Sequence, residues 1–264
     1  MRSVETNYSI RDEIRDYWSM RAASFDESVG HEIFSEAERR GWHRLLRKHL
    51  GAGQGRAALD LACGTAVISH LLDDLGFQVT GADWSEDMLA RARRKAEARG
   101  ADIRFVMRDA ENTMEPRESY DVITNRHLVW TLVDPSAAFA EWFALLKPGG
   151  KLLIVDTNQD ATCLGTRIRK AWEKLTGQPN GAGVVTDLAA AERHRRIREQ
   201  VYFSAMMPAE AVVALLQKAG FVDPVVDRSM GDIHWAQARK MTLLQGFERL
   251  TQDRYAICVT KPTG

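Results

Sequence analysis

Three acids and one histidine stand at positions where their spacing could do chemistry. Asp60 opens a tight turn, Ala62-Cys63-Gly64-Thr65-Ala66, directly after an apolar run containing Leu59 and Leu61. Small residues at Ala62, Gly64 and Ala66 let a backbone approach a ligand closely. The carboxylate beside them suits an orienting hydrogen bond better than a phosphate. Alanines at 62 and 66 separate the turn from the Gly-x-Gly-x-x-Gly of dinucleotide binders, and an ordinary strand-to-helix turn is the plainer reading. Asp83 lies about 20 residues further on, where α/β nucleotide binders set an acid against ribose hydroxyls. A solvated turn acid is its alternative, and Trp84 next to it either covers a flat ring or caps the core. Arg108-Asp109-Ala110-Glu111 supplies a third acid, able to accept a hydrogen bond from an adenine amino group. Asn125-Arg126-His127-Leu128-Val129-Trp130 carries the best candidate general base, because an imidazole ordinarily titrates near neutrality. A structural loop histidine is the alternative for His127.

The remaining candidates are weaker. His234-Trp235 falls in a loop-rich stretch that could border a pocket, while His31 and His194 have no supporting pattern. No two histidines have metal-ligand spacing on a convincing helix, so no metal site is expected. Arg193, Arg195, Arg196 and Arg198 read as a solvated helix face rather than an anion site. Lys147-Pro148-Gly149-Gly150 reads as a turn without a ligand role.

The elements that must position these residues alternate. Short apolar strands are predicted over 56–62, 77–82, 103–107, 120–124 and 151–155, separated by helices, notably over 85–99 and 135–146. Ser85 suits an N-cap, and Glu86 and Asp87 favour the positive end of that helix. Alternation of this kind implies an α/β fold, a doubly wound and mostly parallel sheet covered by helices on both faces. Such sheets bind ligands at the carboxyl ends of their strands. Before the sheet come a polar amphipathic segment over 10–25 and a helix over 33–50, with Trp42, Leu45, Leu46 and Leu50 facing a core. Residues 157–203 break the rhythm, with helices over 162–175 and 188–202 around a loop at 178–183. The α/β pattern then returns with a helix over 208–219 and strands over 221–226 and 255–260.

Composition narrows the class. The 264 residues carry 36 Lys and Arg against 36 Asp and Glu, and this balance argues against a nucleic-acid partner. No apolar run is long enough for a bilayer and no signal-peptide core opens the chain, so no membrane role is expected. Cys63, Cys163 and Cys258 are scattered and odd in number, which fits a reducing, cytoplasmic setting.

Taken in order, four segments resemble the class I S-adenosylmethionine-dependent methyltransferase family, especially its small-molecule branch. They are Leu59-Asp60-Leu61-Ala62-Cys63-Gly64-Thr65, Gly81-Ala82-Asp83-Trp84-Ser85-Glu86-Asp87-Met88-Leu89, Asp109-Ala110 and Leu146-Lys147-Pro148-Gly149-Gly150. The resemblance implies a Rossmann-like seven-stranded fold, with S-adenosylmethionine as cofactor and S-adenosylhomocysteine as product. It implies that Asp60 and Gly64 contact the methionine part, Asp83 the ribose, Trp84 and Met88 the adenine face, and Asp109 and Ala110 the adenine edge. The segment from Tyr17 to Asp26 resembles one that folds over the cofactor, placing Tyr17 and Arg21 near its carboxylate; a surface helix is the alternative. Asn125 is assigned to the cofactor as well. His127 then faces the transferable methyl group.

The reading is a single methyltransferase domain over 1–264, with N-terminal helices over 1–50 covering the cofactor and a helical lid over 157–203. The expected acceptor is nitrogen, oxygen or sulfur of a small metabolite, aromatic or not, touched by Arg126, Trp130, Trp172, His234 and Trp235. Trp130 either lines that pocket or packs beneath it. The competing readings are an RNA or protein methyltransferase and a cofactor-binding sensor that transfers nothing. The scattered cysteines argue against arsenite as acceptor.

Overall fold

The computed structural model describes residues 8–158, 163–177 and 188–264. The loop expected at 178–183 lies outside them. The sheet has seven strands in the order β3-β2-β1-β4-β5-β7-β6. β1 (Ala57–Leu61) pairs in parallel with β2 (Gln78–Asp83) and β4 (Tyr120–Arg126). β2 pairs in parallel with β3 (Arg104–Met107), and β4 with β5 (Leu146–Thr157). The last strand, β7 (Arg254–Thr260), enters antiparallel between β5 and β6 (Val222–Asp227). Strand order reverses between β1 and β4, which opens a crevice at their carboxyl ends.

Burial on both faces explains why the central strands read as apolar runs. Leu59, Leu61, Val122, Ile123 and Leu152 to Ile154 have no exposed surface. One face carries α5 (Pro135–Leu145), whose Phe139 and Trp142 fill the core, and α8 (Ala209–Lys218). The other carries α2 (Glu36–Leu50), with Trp42, Leu45, Leu46 and Leu50 buried as their spacing predicts, beside α3 (Val67–Asp74). α4 (Glu86–Arg99) starts at Ser85, whose hydroxyl accepts from the Met88 N–H. α1 (Ile10–Arg21) is capped by a reciprocal Ser9–Asp12 pair and tightens into a 3-10 turn at Ala22–Glu27, before the predicted end at Phe25.

Several boundaries differ from those expected. β4 runs on through Arg126, so Asn125 and Arg126 are strand residues paired with Ile154 and Val155 of β5. Lys147 to Gly150 form a bulge within the β4–β5 pairing, which jumps from Tyr120↔Leu146 to Val122↔Lys151. The stretch around His234-Trp235 is helical, not loop-rich. It forms α9 (Gly231–Ala238), followed by α10 (Leu243–Thr251).

The insertion divides between two supports. Its first helix, α6 (Leu164–Thr176), packs on α10. Gly165 permits this, because a Cβ there would come within 2.3 Å of the Glu248 Cα. Arg169 Nε donates to Glu248 across the same contact at 2.8 Å. Its second helix, α7 (Leu188–Gln200), packs on α1, where Ile197 and Val201 bury against Ile14 and Tyr17. No helix of the described residues is long and apolar enough to cross a membrane.

Candidate cofactor and acceptor site

A cleft of about 960 Å³, counting part of its open mouth, lies at the carboxyl ends of β1, β2 and β4. Its floor is the turn after β1, where Ala62, Gly64 and Ala66 all have positive φ, at 52°, 55° and 72°. Two of these are alanines, so the chain holds left-handed backbone at residues that resist it, and such strain persists only where the surroundings fix it. The Phe25 ring lies 3.6 Å from where a Gly64 Cβ would stand, so the segment after α1 closes directly over the glycine.

Two buried acids flank that turn. Asp60 accepts from the Ser69 hydroxyl at 2.6 Å and the Thr124 hydroxyl at 3.3 Å. Asp83 accepts one backbone N–H on each oxygen, from Gly64 and from Ser85, both at 2.9 Å. It therefore ties the turn after β1 to the start of α4. Burial raises both carboxyls to about 6, against the pull of these hydrogen bonds. Asp109 bonds to Arg11 of α1 at 2.9 Å, and Glu111 holds the same guanidinium while accepting the N–H groups of Val133 and Asp134. Ile14 and Trp18, one helical turn apart on α1, line the wall beyond.

Of the residues singled out from sequence, Asp60, Gly64, Asp83, Trp84, Met88, Asp109, Ala110, Arg126 and His127 meet on this cleft. Asn125 lies just behind it, 1% exposed, with neither polar atom of its amide hydrogen-bonded. Tyr17 is turned away and buried against His194 and α7, and Arg21 does not line the cleft. Trp130 packs beneath, edge-on to Trp18 at 6.2 Å. His234 is buried on α9, outside the cleft lining. The tryptophans expected to touch the acceptor are corrected more sharply. Trp172 and Trp235 are 49% and 61% exposed and neither lines the cleft; α6, which carries Trp172, docks on α10.

His127 has a demanding environment. Its φ is 60°, a left-handed conformation in which histidine is over-represented. Its N–H bonds to the Val155 carbonyl at 3.1 Å. Arg254 Nη2 donates to His127 Nε2 at 3.3 Å, which makes Nε2 the acceptor and leaves the ring proton on Nδ1. Asp156 Oδ1 is 3.7 Å from that Nδ1, too far for a hydrogen bond. Burial, then Arg254 and Arg126, hold the imidazole well below its ordinary pKa. It is therefore a neutral ring whose only lone pair is already engaged.

Sequence reasoning missed Arg11, Arg249 and Arg254, and ranked His31, which lines the cleft, only as a weaker candidate. The three arginines had no motif around them, and only the folded chain brings α1, α10 and β7 to the cleft. Ile14, Trp18 and Phe25 were detectable as an apolar stripe on the N-terminal segment. No group of three metal-ligating side chains capable of holding an ion occurs among the described residues.

A sequence profile described as "Methyltransferase domain" matches residues 59–154, the stretch from β1 to β5 that builds the cleft. A ubiquinone/menaquinone biosynthesis C-methyltransferase of Shewanella woodyi is 30% identical over 207 residues, covering 76% of this chain and 79% of that protein. A protein of the same description from Shewanella piezotolerans is 36% identical over 141 residues, 51% of this chain, and the chain spans only 55% of its length. Among solved structures, a Haemonchus contortus phosphoethanolamine N-methyltransferase 2 bound to phosphomonomethylethanolamine and S-adenosylhomocysteine superposes with a TM-score of 0.65. It is 17% identical, and the match covers 96% of this chain and 60% of that one. Sheet order, the turn after β1 and these relationships agree: the chain belongs to the class I S-adenosylmethionine-dependent methyltransferases.

Proposed function

We propose that this enzyme methylates a small molecule bound between the carboxyl ends of β1 and β4, the face of α1 and the loop at 28–32. The observation that carries the reading is the pair of buried acids, Asp60 and Asp83, around Gly64 where strand order reverses. Each Asp83 oxygen keeps one lone pair beyond its backbone hydrogen bond, and the Asn125 amide is buried without partners. These groups fit a ligand that brings a ribose diol and an amino-acid head. Asp83 takes the ribose, Trp84 and Met88 the adenine face, and Asp109 and Ala110 its edge. Asp60, Gly64 and Asn125 take the methionine part. Tyr17 and Arg21 act from behind the wall, through the packing of Tyr17 on Trp18 at 5.1 Å.

S-adenosylmethionine, when bound, supplies a methyl group already activated by its sulfonium. The protein's task is then to align the attacking atom and exclude water. Ile14, Trp18 and Leu132 give that end of the cleft apolar walls. His127 positions the acceptor and takes no proton, since its lone pair is held by Arg254. The acceptor atom, expected as nitrogen, oxygen or sulfur, widens to include carbon, because the Shewanella relatives are named C-methyltransferases. α7 rests on α1 as part of a cover over the site, whereas α6 stays with α10 outside it. Calorimetry with S-adenosylhomocysteine, followed by release of that product from S-adenosylmethionine across a panel of small acceptors, tests the proposal. Binding without turnover on any acceptor favours the sensor, and turnover only on RNA or protein favours the macromolecular reading.

A further inference from the structure

The acceptor end of the cleft holds an unusual amount of positive charge. Arg126 lines it from the end of β4, beside two neutral imidazoles, His127 just after that strand and His31 from the loop after the 3-10 turn. Arg254 stands directly behind His127, 2% exposed. Arg249 reaches the same loop from α10, donating to the Val29 carbonyl at 3.3 Å.

None of these three guanidiniums forms an ion pair with a carboxylate among the described residues. Arg126 donates to the carbonyls of Gly30 and His31 at 2.9 and 3.2 Å. Arg254 donates to the Gln237 amide oxygen at 3.1 Å and to His127, and its Nε has no partner. The nearby acids are engaged elsewhere. Glu38 accepts from Gln237 and from the Phe34 N–H. Asp156 accepts from the N–H groups of Thr157 and Val129, Asp60 from Ser69 and Thr124, and Glu32 from Lys95. The surrounding imidazoles respond to the same field. Burial and the neighbouring cations depress His31 and His234 to about 3.

Asp60, Glu38, Glu32, Asp156 and Glu248 act on these guanidiniums through space, but none touches them, so a ligand that makes the contact completes the pairing. A planar guanidinium fork matches carboxylate and phosphate geometry. Holding the carbonyls of the loop would need hydrogen-bond donors but not three full charges. We propose that the acceptor is an anion, carrying a carboxylate or a phosphate seated against Arg126, with Arg254 and Arg249 supplying the field behind it. This inference rests on the methyltransferase reading above. The cofactor's own carboxylate offers the same chemistry, so a test must separate the two sources.

The test uses the full chain saturated with S-adenosylhomocysteine and titrated with inorganic phosphate, benzoate and uncharged benzamide at fixed ionic strength. The expected result is that phosphate or benzoate binds the loaded protein and that benzamide binds at least roughly tenfold more weakly than benzoate. Arg126→Gln and Arg254→Gln should each weaken the anion roughly tenfold while leaving the affinity for S-adenosylhomocysteine within about threefold. If either variant fails to fold, the benzoate–benzamide comparison on the wild-type protein decides alone. Absence of binding by both anions, equal binding of benzamide, or displacement of S-adenosylhomocysteine by the anion overturns the proposal. The last outcome would give the cluster to the cofactor's carboxylate. Failure of S-adenosylhomocysteine itself to bind overturns the methyltransferase reading, and this inference with it.

Discussion

Replacing Asp83 by asparagine isolates the ribose assignment in a single buried side chain. The carboxylate is 7% exposed, and each oxygen accepts one backbone N–H, leaving one lone pair per oxygen for a diol. A carboxamide keeps one acceptor and turns the other into an NH2 that faces a backbone N–H. The cofactor product then loses one charge-assisted hydrogen bond, about 1.5–3 kcal/mol, or roughly 10–150-fold in affinity. Stability is the poorer readout, because two effects oppose each other. Orphaning a buried N–H costs about 1–3 kcal/mol. Removing the ionisable group relieves a penalty of similar size, since its folded pKa of about 6 lies above the unfolded value. That raised pKa means Asp83 costs the unliganded fold stability as pH rises from about 4 to about 6. It also sets the pH dependence of binding. Ribose hydroxyls donate to the ionised form, so the bound pKa falls below about 6 and binding releases a proton. Affinity should therefore rise with pH up to about 6 and then level, with Asp60 contributing to the same limb, and Asp83→Asn should make this limb shallower. Isothermal calorimetry with S-adenosylhomocysteine between pH 5 and 8 measures both. An affinity within about threefold of wild type, with the limb intact, refutes the assignment, since the loss would fall below one such hydrogen bond.

At saturating S-adenosylmethionine the wild-type rate should show no limb near pH 6.5, and His127→Ala should lose far less than the 10²–10⁴-fold of a general base. A limb in that region that disappears in the variant would restore His127 as a base. Ala62→Gly relieves left-handed strain of about 1 kcal/mol and should raise the melting temperature by about 2–4 °C in calorimetry; a lowered value would show that the alanine methyl packs more than it strains. Gly165→Ala drives a methyl group into the α10 backbone, so hydrogen exchange over 164–176 should accelerate while affinity for S-adenosylhomocysteine stays within about threefold. Unchanged exchange would mean that α6 does not depend on that close approach.

The residues proposed for the cofactor could be picked out from sequence because their pattern is local. Asp60, Gly64, Asp83 and Met88 sit at fixed offsets from strand ends, and apolar runs bounded by small residues mark those ends. Parallel strands must bury both faces, so β1, β2, β4 and β5 announced themselves, as did the core stripe of α2 from Trp42 to Leu50. The N-cap at Ser85 was visible because capping depends on three or four consecutive residues.

The acceptor side depends on contacts the chain makes across long separations. Arg254 meets His127 across 127 residues, and Arg249 meets Val29 across 220. Neither arginine stands in a pattern that distinguishes it from a solvated one. The fate of Trp172 and Trp235 was equally hidden. Helical spacing says which residues share a face, but only the docking of Gly165 on Glu248 decides that α6 packs on α10 and leaves Trp172 half exposed. His127 shows the division within one residue. Its type and its place after β4 marked it as chemistry from sequence alone. Whether it is a base depends on what its Nε2 meets, and the antiparallel entry of β7 puts an arginine there.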